Sequence, residues 1–366
     1  MKRKSRNLNM NLLMGVLALA LLSSVVLGQD LTVAQYLELK EARAKSNKHL
    51  SEKQIQTPYS SWGIEPTNLL NAWKIYQRVK EPIVAVIDTG IDNNHPFLQQ
   101  NIITLEGRAT ASNYGLDFSK KEFEDSHKRP MDVHGHGTHV TGIVKSINPK
   151  VRILPIKYYR AQASGQDNLQ ATIEALDYAV TNNIPIINYS GGGPQASTRE
   201  LEILRKARNK GILIIAAAGN NQSNLDVPGN SYYPASYGLT NVISVGAYTK
   251  DLALFRSSNY GKGTIDIMAP GHEIKSSVPN KRAGYLSGTS QATAFVTGVA
   301  SLIKSNFPQL KAQEIKRIII NSAKKETQFL GLCKSGGRLD ALNALLTAKE
   351  YVREKRDINK KIASHP

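Results

Sequence analysis

Five short apolar runs recur through the middle of this chain: Ile83–Ile87, Ile153–Ile156, Ile184–Ile187, Ile212–Ala216 and Val242–Val245. Runs this continuous suit strands covered on both faces, since a half-exposed strand would alternate with polar residues. Helical patterns lie between several of them. Asn168–Thr181 carries Leu169, Ile173, Leu176 and Ala179 near helical spacing. Thr198–Asn209 carries Leu201, Ile203 and Leu204 among charges and stops before Gly211, a good C-terminal signal. Strand–helix–strand alternation predicts an α/β fold: a mostly parallel central sheet flanked by helices, with right-handed crossovers. Further helices are expected over Gly288–Phe307 and Lys311–Ala323, with Pro308 between them, and over residues 338–357.

Composition sets outer bounds. The chain has 366 residues, 41% hydrophobic and 21% charged, enough to bury a full core. One cysteine, Cys333, excludes an internal disulfide, and no Cys/His spacing suggests structural zinc. Nothing around Cys333 looks reactive, so it reads as buried packing. Lys2, Arg3, Lys4 and Arg6 precede an apolar run from Leu12 to Leu27. That run, about 16 residues, is short against the roughly 20 a membrane span needs. Residues 1–28 are therefore expected to be a cleaved signal peptide, making the protein secreted or periplasmic; the alternative is an uncleaved anchor. No cysteine follows the run, so a lipid anchor is not indicated.

Cleavage would remove four of the positive charges behind the formal +18. The remaining excess favours loose adsorption to anionic envelope surfaces. No basic-and-aromatic stripe indicates specific nucleic-acid binding. Residues 29–57 read as a polar, lysine-rich arm or short pro-segment, and residues 346–366 as a charged helical tail. No internal repeat is visible.

Three segments carry chemistry. Asp88 directly follows a buried run, at the carboxyl edge of a sheet where α/β proteins place their sites. His134, His136 and His139 crowd into six residues, interleaved with glycines. Their i, i+2, i+5 spacing disfavours a metal-binding helix face, for which i, i+4 is usual, and suits a base on a helix's first turn. Gly137 reads as permitting close approach of that helix to its neighbour. In Ser287–Ala294 small residues open an apolar helix, placing Ser290 at a helix N-terminus where negative charge is favoured. A fourth segment, Ala216–Asn220, follows a buried run and offers a neutral amide donor.

Taken together and in this order, the four segments resemble the subtilase family of serine peptidases over about residues 58–345. The resemblance implies a three-layer subtilisin-like peptidase domain over 58–345 and a secreted serine endopeptidase acting on protein or peptide substrates, with a monomer as the default. It implies a triad of Asp88, His136 and Ser290 and an oxyanion hole from the Asn220 side chain and the Ser290 N–H. The chemistry it implies needs no cofactor and assigns no metal. His134 and His139 are read as structural. Ser164 and Gly165, with Ser190, Gly191 and Gly192, are similar to the two segments that flank an extended peptide, where glycine-rich edges let a substrate pair as an added strand. Gly191 stands where a larger apolar residue is usual, so a roomy subsite is expected there. Tyr232 falls in the wall of the first specificity pocket and is expected to make it shallow.

Departures are equally specific. Gln291 replaces the usual methionine, with Ala294 and Phe295 at positions expected to adjoin the pocket. Ser146–Pro149 runs directly into Val151–Ile156, leaving out the calcium-binding loop of subtilisins, so that site is not carried over. Glu122, Glu124, Asp125 and Asp132 follow no regular loop pattern and assign no other calcium site. The rival readings are a catalytically inactive subtilase-like binding protein and an esterase. All four catalytic positions are filled, against the first. Ser290 is not the centre of a Gly-x-Ser-x-Gly motif, against an α/β-hydrolase.

Overall fold

The computed structural model describes residues 61–119 and 125–363. The expected signal peptide and arm, and Glu122 and Glu124, lie outside the described residues. In chain order the helices are α1 (Leu69–Ile75), α2 (His136–Ile147), α3 (Gly165–Thr181), α4 (Thr198–Asn209), α5 (Thr289–Asn306), α6 (Ala312–Asn321) and α7 (Ala341–Ala363). The strands are β1 (Ile83–Asp88), β2 (Ile103–Thr104), β3 (Gly107–Arg108), β4 (Leu116–Asp117), β5 (Arg152–Lys157), β6 (Ile186–Tyr189), β7 (Leu213–Ala217), β8 (Val242–Tyr248), β9 (Ile267–Pro270), β10 (Ile274–Val278), β11 (Arg282–Leu286), β12 (Lys324–Lys325) and β13 (Gly337–Arg338).

Among the described residues, nine strands form one sheet in the order β12-β13-β9-β8-β7-β6-β1-β5-β4. Every neighbouring pair is parallel except β12–β13. The apolar runs became β1 and β5–β8, as their two-sided hydrophobicity requires. Alternate residues of β1 feed different layers. Val84 and Val86 face a core with α2, α5, α6 and α7, while Ala85 and Ile87 face one with α3 and α4. A buried Val or Ile side chain contributes about 1.5–3 kcal/mol, so both faces of the sheet are held.

Helix α5 runs through the larger core, with 16 of its 18 residues buried. Its hydroxyls are satisfied internally: Thr293 donates to the Thr289 carbonyl and Thr297 to Asn188 Oδ1, both at 2.8 Å. Gly298 lets α5 lie against α2, since a Cβ there would sit 2.6 Å from the Ile147 Cβ. Helix α7 runs unbroken across residue 345, with Leu345 and Ala348 buried. Its Lys355 and Tyr351 reach Glu314 on α6 at 2.8 and 2.9 Å, so the first part of the charged tail is docked. Cys333 is buried.

Candidate active site at the rim of the sheet

The chain enters the sheet at β1 and then builds outward in both directions, to β5 on one side and β6 on the other. Sites in open α/β sheets form at the carboxyl ends of strands where the order reverses in this way. Asp88 is the last residue of β1. Its neighbour Ile87 pairs with Tyr189, so Ser190 lies beside Asp88 across one strand spacing.

His136 opens α2, and its Nδ1 meets Asp88 Oδ1 at 2.7 Å. Close approach makes this possible: a Cβ on Gly137 would stand 2.2 Å from the Gly90 carbonyl oxygen. The same Asp88 oxygen accepts from the Thr89 N–H at 2.7 Å. Burial alone would push the His136 pKa down. The charge and hydrogen bond of Asp88 more than offset this, with a further contribution from Asp132, and hold it above the ordinary value.

Asp132 ties this half of the rim together. Its Oδ1 accepts from Thr89 Oγ1, His134 N and Gly135 N; its Oδ2 accepts from Thr138 N and Oγ1. Burial works to raise its pKa, yet the bonds from Thr138, Gly135 and Thr89 hold it below the usual carboxylate range. Thr89 Oγ1 in turn accepts from the Gly137 N–H at 2.9 Å. Asp132 thus supplies the side-chain acceptors that the α2 N-terminus lacks from its own N-cap, Gly135. His139 is fully buried and bonded through Nε2 to the Ile274 carbonyl at 2.9 Å; burial pushes its pKa down to about 4. It is a neutral packing residue. His134 sits edge-on to the rings of His136 and Tyr159.

Ser290 is the second residue of α5. Its hydroxyl donates to the Ser190 carbonyl at 2.9 Å, and Ser190 Oγ donates back to the Ser290 carbonyl at 3.2 Å. Asp88 and His136 are therefore joined directly, and Ser290 is fastened to the residue next along the rim. The bond between hydroxyl and imidazole is not formed in this structure. Asn220 follows β7. Its Oδ1 accepts from the Thr289 N–H at 2.9 Å and from Thr289 Oγ1 at 3.2 Å, and that hydroxyl accepts from Gly219 N. Pinning the oxygen turns the amide N–H groups outward, and they make no hydrogen bond among the described residues. Gly288 takes φ +155°, a region favouring glycine, at the turn into α5.

The expected binding residues are placed less simply. Ser164 is the N-cap of α3, accepting from Asp167 N at 3.0 Å, so α3 starts at Gly165, three residues earlier than its apolar spacing predicts. Gly193 pairs through both backbone groups with Tyr233, leaving Gly191 and Gly192 as the free edge. The space expected beside Gly191 is taken by Tyr158, whose hydroxyl would stand 2.4 Å from a Cβ there. The Tyr232 ring lies between Gly192 and Gly219, with carbons 2.6 and 2.7 Å from the Cβ positions those glycines lack. Phe295 does not adjoin this pocket: it and Ala294 belong to the large core, and the ring abuts Gly63. Gln291 is also turned inward.

Three contributors escaped the sequence reading. Asp132 lies 43 residues from Thr89 and has no local signature. Thr289, beside the serine, holds Asn220. Glu200, on the first turn of α4, is buried near the binding segments. Among the described residues no group of three or more His, Cys, Asp or Glu is arranged to hold a metal ion.

The profile of the Subtilase family matches residues 79–339. The chain is 33% identical over 301 residues to the thermophilic serine proteinase of Bacillus sp. (strain AK1), covering 79% of this chain and 68% of that protein. It is 34% identical over 252 residues to the major intracellular serine protease of Bacillus subtilis (strain 168), covering 66% and 74%. Subtilisin-like protease 2 of Plasmodium falciparum (isolate 3D7) is 31% identical over 261 residues, but this chain spans 19% of its length. With the matched segment running from just before β1 to just past β13, the chain belongs to the subtilase family and is a serine endopeptidase.

Proposed function

We propose that the protein is exported and cleaves peptide bonds through an acyl-enzyme formed on Ser290. The observation that carries this is the 2.7 Å bond between Asp88 Oδ1 and His136 Nδ1, beside a serine at the N-terminus of a buried helix. The bond fixes the imidazole with Nδ1 protonated and Nε2 free to accept. Rotation of the Ser290 hydroxyl away from the Ser190 carbonyl aims it at Nε2. Ser290 Oγ then attacks the substrate carbonyl carbon as His136 takes its proton. The carbonyl oxygen becomes negative and is met by the Asn220 amide and the Ser290 N–H. His136 gives its proton to the leaving amine, and the acyl-enzyme remains. Water, deprotonated by the same imidazole, releases the acid and restores Ser290. Asp88 stabilises the transient imidazolium throughout. Substrate is taken as an extended strand on Gly191 and Gly192. A ring at Tyr232 favours small side chains in the first pocket.

A fluorophosphonate probe tests the assignment. Wild type should label and digest casein, and Ser290→Ala should do neither. A folded wild type that resists the probe would indicate a binding protein on the same scaffold. Export is checked by the mature N-terminus, expected near residue 29.

A further inference from the structure

A cavity of about 290 Å³ opens beside the glycine-rich edge, lined by residues including Tyr158, Gly165, Tyr189, Gly193, Tyr233 and Glu200. Glu200 is the one acidic residue in its lining, and the lining holds no lysine or arginine. The side chain is 1% exposed, and its Oε1 has no hydrogen-bond partner among the described residues. A buried, half-satisfied carboxyl is costly, so its retention needs a reason.

The ordinary reason does not hold. A glutamate three residues after a serine N-cap usually reaches back to the N-cap N–H. Here Ser197 is the N-cap and accepts from Glu200 N, but the Ser197 N–H donates to the Tyr237 hydroxyl at 2.9 Å. That hydroxyl in turn donates to the Ser197 carbonyl at 3.1 Å. Tyrosine has taken over the cap, and the glutamate is released from it. Burial pushes the Glu200 pKa up to about 7, against opposing contributions from the Tyr237 and Tyr189 hydroxyls beside it.

We infer that this cavity is a subsite for a lysine or arginine side chain of the substrate, with Glu200 its specificity-determining residue. The inference rests on the peptidase reading for its place in the reaction. A cation supplies the partner that Oε1 lacks, through a charge-assisted hydrogen bond in a desolvated setting. The surrounding tyrosines add apolar walls that suit the stem of a long basic side chain, and aromatic rings that favour a cation. Gly193 in the lining is three residues from Ser190, whose carbonyl holds the nucleophile. At about 3.3 Å per extended residue that is roughly 10 Å, so the recognised side chain lies within about four residues of the scissile bond.

The test is a peptide series carrying arginine, the uncharged isostere citrulline, or norleucine at each of four positions on either side of the cleaved bond. Wild type should prefer arginine over citrulline at one position by on the order of tenfold to a hundredfold in kcat/KM. Glu200→Gln should bring the two rates together; Glu200→Leu, a second variant in case the first does not fold, should favour norleucine. Equal rates for arginine and citrulline in wild type would overturn the inference, as would a preference that survives in Glu200→Gln. Binding of the same peptides to Ser290→Ala reads the cavity without turnover. An arginine preference in binding, with no cleavage by wild type, would keep the subsite and lose the peptidase reading. Cleavage without the preference would do the reverse.

Discussion

The two halves of the candidate rim bury an acid each, and they treat it in opposite ways. On the β1–α2 half, Asp132 accepts five hydrogen bonds and sits below the usual carboxylate range. On the β6–β7 half, Glu200 is equally buried but keeps one oxygen without a partner, and its pKa rises to about 7. The same contrast extends outward. Asp88 and Thr89 are bonded within the protein, whereas the Asn220 amide and the Gly191–Gly192 edge are left open. The proposed base must be held still before substrate arrives, and the supports around it are complete in the free protein. A binding surface must offer bonds to an incoming chain, so its supports are left unfinished.

Substitutions on each side should break or sharpen that contrast. Turnover is the largest effect. Ser290→Ala and His136→Ala should each lower kcat by about a millionfold, the scale subtilisin itself sets, as measured by active-site-titrated hydrolysis. Asn220→Ala should lower kcat by about 10²–10³, again a subtilisin figure, and should also cost about 1–3 kcal/mol in unfolding, because the buried Thr289 N–H and hydroxyl lose the oxygen they donate to. A loss of kcat no larger than that loss of stability explains would contradict the division.

Asp132→Asn should act on the other side. It strips acceptors from the α2 N-terminus and leaves N–H donors unmet, costing roughly 2–4 kcal/mol in denaturant unfolding. It should also shift the pH profile. His136 must be neutral to accept a proton, so activity falls as pH drops through its raised pKa. That acid limb should lie above pH 6.5, the group's ordinary value. Removing the Asp132 charge removes one of the raising contributions, so the limb should move to lower pH in kcat/KM.

Glu200→Gln should have the opposite sign and the smallest size. A carboxyl held at about 7 in the fold but ordinarily at 4.5 gains a proton on folding. It therefore costs stability progressively as pH rises from about 4.5 to 7, by up to roughly 3 kcal/mol. The variant should unfold at a higher temperature than wild type at pH 8, and the two should converge at pH 5. If wild type shows no such pH penalty, the two acids are not opposites.

Much of the frame was legible in sequence because its causes are local. Two-sided burial wrote continuous apolar runs for β1 and β5–β8, and the predicted bounds of α4, Thr198–Asn209, match the observed helix. Asp88 and His136 were legible through position: one ends a buried run, the other opens a helix. The edge strands β4 and β12, and β13 beside β12, were not, because two residues carry no period. Asp132 was set aside as one of several scattered acids, since its role depends on Thr89 and Thr138 arriving from two other segments. Glu200 was not singled out, being one of the charges among the apolar residues of α4. Its isolation depends on Tyr237, a residue 37 positions away, occupying the cap. At Gly191 itself the Cβ position meets Tyr158, which comes from beyond β5, while the cavity opens at Gly192 and Gly193.

On the proposed mechanism, the placement of Ser290 on a helix threaded through the larger core couples chemistry to completion of folding. A nascent or damaged chain in which α5 has not found its seat between the sheet and α6 holds no organised alcohol and no amide pair around it. Such a chain is a harmless polypeptide: potential victim, never attacker.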